Sequence, residues 1–61
     1  MREWLKNIRT NAGKTMKIVA IEAGISECYY CQIEGGVRNV SVKNAKKIAT
    51  VLGFDWQRFF E

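Results

Sequence analysis

The 61-residue sequence reads as an all-α domain of five short helices. Apolar residues recur at helical spacing, most cleanly as Val42, Ala45, Ile48, Ala49 and Leu52. Glycines at Gly13, Gly24, Gly35, Gly36 and Gly53 break the chain into segments of helix length. Thr15, Ser26, Ser41 and Asp55 stand where those segments need a capping side chain. No alternating apolar pattern is long enough for a strand, and Pro is absent.

The first helix runs from about Arg2 to Ala12, with Trp4, Leu5, Ile8 and Ala12 along one face, and Gly13 ends it. Thr15 caps a second helix that reaches about Ala23. Gly24 then lets φ turn positive without the steric cost of a Cβ. Ser26 offers its hydroxyl to a third helix, Glu27 places a negative charge in its first turn, and the Gly35-Gly36 pair stops it after Glu34. Val37 to Val40 form a loop, and Ser41 caps a fourth helix that carries the stripe from Val42 to Leu52 and ends at Gly53. Asp55 caps a last short helix containing Trp56, Phe59 and Phe60. Trp56 and Phe59 are expected to face the core and Phe60 the surface.

Size and composition narrow the function. A 61-residue chain has room for one domain, spanning residues 1–61, and buries only about 60% of the surface its unfolded form exposes. Hydrophobic content of 48% with 26% charged residues is that of a globular domain. The apolar runs are too short to cross a bilayer, and MREWLKNIR lacks the continuous apolar region of a signal peptide, so a cytoplasmic location is expected. The net charge of +4 favours an anionic partner, nucleic acid being the usual one. With no His, one Asp and no Ser beside a plausible base, neither acid-base nor nucleophilic catalysis can be assembled, and no cofactor is expected.

The stretch TMKIVAIEAGISECYYCQIEGG, Thr15 to Gly36, describes two helices meeting at a tight corner. Ala20 is small where they approach. Val19, Ala23, Ile25, Tyr30 and Ile33 fall where so short a turn buries one common seam. This is the plan of a helix-turn-helix, whose second helix enters the major groove of DNA. The pattern G-K-T-x(3)-V-A-x(3)-G-I-S-x(2)-Y-Y-x-Q-I-E-x-G resembles the Cro/lambda-repressor-like (Xre-type) helix-turn-helix family. The resemblance extends to R-N-x-S at Arg38 to Ser41, A-K-K-I-A at Ala45 to Ala49 and the terminal L-G, and so covers nearly the whole chain. It implies a five-helix lambda-repressor-like DNA-binding domain.

On the third helix Tyr30 and Ile33 mark the core face, leaving Glu27, Cys28, Cys31 and Gln32 outward. The resemblance singles out Glu27, Cys28 and Gln32 as base-contacting positions, and Ser26 and Tyr29 as residues that approach the backbone. The Gln32 amide donates and accepts at once, which suits the N6 and N7 edge of adenine. Glu27 has two readings: an acceptor for cytosine N4, or a charge that favours the helix dipole. Phosphate contacts are expected from the backbone N–H groups of Met16 and Lys17, from the Lys17 side chain, and from Arg38, Asn39 and Lys43. Each of the lysines can equally be a solvated surface charge. The resemblance also implies a structural ion pair, Arg9 late in the first helix with Glu34 at the end of the recognition helix.

Several positions depart from the family pattern. Met16 replaces a Gln that would reach a phosphate and brace the recognition helix. Ile18 and Ile21 are apolar where polar residues are usual, and Ala23 is smaller than the usual Leu or Val. Ile18 or Ile21 tilting in beside Ala23 is the packing expectation; a partner-binding patch on the second helix is the alternative. Gly35, Val37 and Val40 stand where Asn, Lys and Pro are common, and the loss of the Lys weakens one expected phosphate contact.

Cys28 and Cys31 form a C-x-x-C within one helix. Zinc needs four ligands and the chain has no His and no further Cys, so no metal site is expected unless two chains share one. A thioredoxin-like setting is missing too, and the pair reads as reduced thiols, with oxidation of a groove-facing Cys28 as a conceivable switch. The leading expectation is a sequence-specific transcriptional regulator, a repressor of phage or mobile-element type that binds palindromic operator DNA as a homodimer. The alternatives are a protein-interaction module on the same fold, with Met16, Ile18 and Ile21 as its contact surface, or an antitoxin that combines both activities. The family's dimers use residues near the C-terminal end, which points to Phe60.

Overall fold

The computed structural model describes residues 1–61. The chain folds as α1 (Glu3–Asn11), α2 (Met16–Ala23), α3 (Glu27–Glu34) and α4 (Val42–Leu52), followed by a 3-10 helix over Trp56–Phe60. The all-α class is as expected; the fifth helix differs in kind. Asp55 Oδ1 accepts from the Gln57 N–H at 3.0 Å and the Asp55 carbonyl accepts from Arg58 N–H, also at 3.0 Å. Five residues are too few to offset the cost of nucleating an α-helix, so the tighter turn prevails.

Three of the α-helices begin alike. Thr15, Ser26 and Ser41 have extended backbone, and their hydroxyls accept from the N–H groups of Ile18, Tyr29 and Asn44 at 3.2, 3.1 and 3.2 Å. The corner between α2 and α3 depends on Gly24, at φ 73°. Its N–H bonds to Ile21 O, the following Ile25 N–H bonds to Ala20 O at 3.0 Å, and the Ile25 side chain folds back against the core. A residue with a Cβ would be strained there.

The first helix is shorter than expected. Ala12 lies beyond it and is exposed, and Arg2 occupies its N-cap without a side-chain cap bond. Arg2 is used elsewhere. Its backbone N–H donates to Glu34 O at 2.8 Å, and its guanidinium donates to Ile33 O and, at 3.3 Å, to Arg38 O. A backbone donor and a guanidinium thereby meet two carbonyls at the C-terminus of α3, where a cation is favoured.

The core joins Leu5 of α1, Val19, Ala20 and Ala23 of α2, Tyr30 and Ile33 of α3, Val40 of the loop, Ala45 and Ile48 of α4, and Phe59. Helix α2 packs on both α3 and α4, which is why Ala20, fully enclosed, must be small. Trp4, Phe54 and Phe59 meet edge-on or tilted, with centroids 5.2–5.6 Å apart, and close α1 against the C-terminal end. Phe59 is buried and Phe60 exposed, whereas Trp56 is only half-buried, with Lys46 Nζ 5.1 Å from its ring. Val42 also leaves the expected stripe, since the first turn of α4 extends past the core.

The packing expectation for α2 is overturned. Ile18 is 43% exposed and Ile21 67%. Once Val19, Ala20 and Ala23 face inward, the helical period turns positions 18 and 21 to solvent. Met16 and Ile25, at the two ends of α2, supply the flanking apolar contact instead.

Candidate nucleic-acid interface

Helix α3 divides cleanly along its length. Tyr30, Ile33 and Glu34 are buried, while Glu27, Cys28 and Cys31 are exposed and Tyr29 and Gln32 are half-buried. The inner set holds the helix in place. Arg9 Nε lies 2.7 Å from Glu34 Oε1 and Nη2 lies 3.2 Å from Oε2, a two-point grip across α1 and α3. Arg9 Nη1 also donates to Lys14 O at 2.9 Å, and the Tyr30 hydroxyl donates to Glu34 Oε1 at 3.1 Å. Glu34 is therefore a buried carboxylate with three donors around it.

The charges shift their neighbours. The hydrogen bond from Arg9 to Glu34 holds the guanidinium pKa above its ordinary value, against the opposing effect of burial. Burial, reinforced by the Glu34 charge, pushes the Tyr30 hydroxyl above the usual tyrosine range. Tyr30 thus stays a neutral donor to Glu34 throughout the physiological range.

The outer set is tied together at one side. Arg38 Nη1 donates to Gln32 Oε1 at 3.2 Å, and the same guanidinium lies 5.2 Å from the Tyr29 ring centroid. Asn44 Nδ2 donates to the Tyr29 hydroxyl oxygen at 3.0 Å, which leaves the phenolic hydrogen free to donate outward. Gln32 and Arg38, expected to act separately on bases and backbone, are thus direct neighbours.

The remaining candidates lie on α2, at the α3 N-cap, in the loop and on α4. Lys17 is exposed in the first turn of α2, and the Met16 and Lys17 N–H groups precede the first in-helix bond, from Val19 N–H to Thr15 O. The Met16 side chain packs against the core. Ser26 is occupied as the α3 cap. Asn39 is exposed in the loop and Lys43 in the first turn of α4. Cys28 and Cys31 are free thiols.

Besides the Gln32–Arg38 bond, three contacts escape sequence reasoning. Tyr30 to Glu34 was within reach, since a phenol and a carboxylate four apart on a helix meet. Asn44 to Tyr29 and Arg2 to the end of α3 join residues distant in sequence, and no local pattern announces them.

The family model described as Helix-turn-helix matches residues 5–59. The chain is 51% identical over 61 residues to a Bacillus subtilis (strain 168) protein described as the uncharacterized HTH-type transcriptional regulator YqaF. The match covers 100% of this chain and 80% of that relative. No solved structure matches. The helix-turn-helix transcriptional regulators are a DNA-binding, non-enzymatic kind of protein. The capped α2–Gly24–α3 corner, the buried brace beneath α3 and a match spanning residues 5–59 place this chain in the helix-turn-helix family, of the Xre/Cro type.

Proposed function

We propose that this protein is a sequence-specific DNA-binding transcriptional regulator, reading operator DNA through α3. The observation that carries it is the division of α3 into a braced inner face and an outer face of Glu27, Cys28 and Gln32. These three side chains meet base edges in the major groove. Lys17, Arg38, Asn39 and Lys43, the backbone N–H groups of Met16 and Lys17, and Ser26 and Tyr29 hold phosphates on either side. The description of the Bacillus relative as a transcriptional regulator supports the same assignment.

The protein acts in the cytoplasm as a homodimer on a palindromic operator, as a repressor of phage or mobile-element type. Phe60, 53% exposed beside Trp56, supplies apolar surface for pairing at the C-terminal end. Selection of bound sequences from a random duplex pool tests the assignment directly. A two-fold symmetric consensus is expected, with affinity falling as salt rises at a slope of about −0.9 per neutralised phosphate. Arg38→Ala should flatten that slope by about one such unit. A pool that yields no enriched sequence would refute DNA reading.

One observation favours a second reading. Ile18 and Ile21 form an uncovered apolar patch on α2, which suits a protein-interaction module or the antitoxin of a toxin pair. Co-purification of a stoichiometric protein partner, lost in Ile21→Glu, would select it.

A further inference from the structure

The amide of Gln32 is oriented by an exposed contact with Arg38. An arginine side chain carries only donors, so the Gln32 atom that faces Arg38 Nη1 at 3.2 Å has to be the oxygen. The NH2 group occupies the opposite branch of the planar amide. Arg38 is itself held, since its guanidinium lies over the Tyr29 ring at 5.2 Å and Tyr29 is fixed by Asn44 at 3.0 Å. A chain of contacts from α4 through α3 to the loop therefore sets the orientation of one base-contacting side chain.

Orientation decides what Gln32 can read. An amide free to turn matches adenine by donating to N7 while accepting from N6. Here the acceptor half is engaged by a charge-assisted bond, which a neutral bond from adenine N6 would have to replace or share. A pose that keeps the Arg38 bond turns both amide hydrogens toward DNA and leaves the oxygen on the Arg38 side. Guanine is the base that fits, because its major-groove edge presents N7 and O6 side by side, both acceptors. Thymine offers O4 alone, next to a methyl group, and cytosine offers a donor.

Resting on the DNA-reading function proposed above, we infer that Arg38 is a specificity-determining residue that holds Gln32 in a donor-presenting state, so that α3 selects guanine at the Gln32 position. Arg38 does this without giving up the backbone, since Nη1 serves Gln32 while its remaining N–H donors are available to a phosphate.

The test is selection from a random duplex pool with the full chain, at low salt so that weakened variants still bind. Gln32→Ala identifies the base pair that Gln32 reads, as the one whose preference it erases. The wild type should favour G·C over A·T at that pair by about tenfold or more. Arg38→Met removes the donor, frees the amide to turn, and should move that preference toward A·T. Gln32→Glu keeps a partner for Arg38 but offers no hydrogens to DNA, and should lose the guanine preference outright. Wild-type selection of A·T at that pair, or an Arg38→Met profile identical to the wild type, would overturn the inference. So would a Gln32→Ala profile with no changed position, while leaving DNA reading intact. Failure of the wild type to enrich any sequence removes both, and the wild-type lane alone distinguishes that case.

Discussion

Replacing Arg9 by Met removes two of the three hydrogen bonds that hold the Glu34 carboxylate, at 2.7 and 3.2 Å, and all of the positive charge beside it. Glu34 is 3% exposed, so water cannot take over. The Tyr30 hydroxyl at 3.1 Å remains as its one side-chain donor. Leaving one member of a buried pair unmatched costs about 3–5 kcal/mol. For a chain of 61 residues the whole folding stability is about 3–9 kcal/mol, so the variant should be marginal. Each kcal/mol moves the melting temperature of a domain this size by about 4–8 °C, which sets a fall of at least about 12 °C. Glu34→Gln should cost less, about 1–3 kcal/mol, because the amide still accepts from Tyr30 and Arg9 keeps its bond to Lys14 O at 2.9 Å. The double variant should then be more stable than the sum of the two losses implies. Urea unfolding followed by far-ultraviolet circular dichroism and by tryptophan fluorescence measures all three. An Arg9→Met loss below about 1 kcal/mol, or strict additivity in the double variant, would refute the account of a coupled brace.

Tyr30 sets an alkaline limit. Its hydroxyl pKa is raised on folding by burial and by Glu34, so its contribution is intact below the unfolded value of about 10. It fades as pH climbs from there toward the folded value, because the unfolded state releases the proton first. The stability difference between the wild type and Tyr30→Phe should shrink across that window at up to about 1.4 kcal/mol per pH unit; parallel curves would exclude the effect. Phe60→Glu should leave the protomer folded, since that ring is 53% exposed, yet abolish cooperative filling of a two-half-site operator in a gel-shift titration. Retained cooperativity would move the pairing surface to the patch at Ile18 and Ile21.

The parts of this fold that could be read beforehand are those governed by neighbours in sequence. Thr15, Ser26 and Ser41 cap because a hydroxyl reaches an N–H three residues on, and Gly24 turns because it lacks a Cβ. Where the chain meets itself at long range, local reasoning lost its hold. Volume alone favours Ile18 or Ile21 beside Ala23, but both are exposed, because the rotation of α2 is fixed by its contacts with α3 and α4. Arg2 looked like the first turn of a helix and instead binds carbonyls at the end of α3. At the candidate interface, the outward residues of α3 follow from its period, whereas the bond between Gln32 and Arg38 depends on a loop path that no motif describes.

The split of α3 into two faces has an evolutionary consequence. Tyr30, Ile33 and Glu34 carry the packing, while the side chains of Glu27 and Cys28 point to solvent and enter none of it. Mutation at those two positions is nearly free of folding penalty, so under the DNA-reading function proposed above operator preference can drift there without any stabilising change elsewhere. Gln32 is the exception, because its oxygen is shared with Arg38. On the proposed reading by Gln32, a lineage that changes one of that pair alters what the other can do, and these two positions should covary among descendants that recognise different operators.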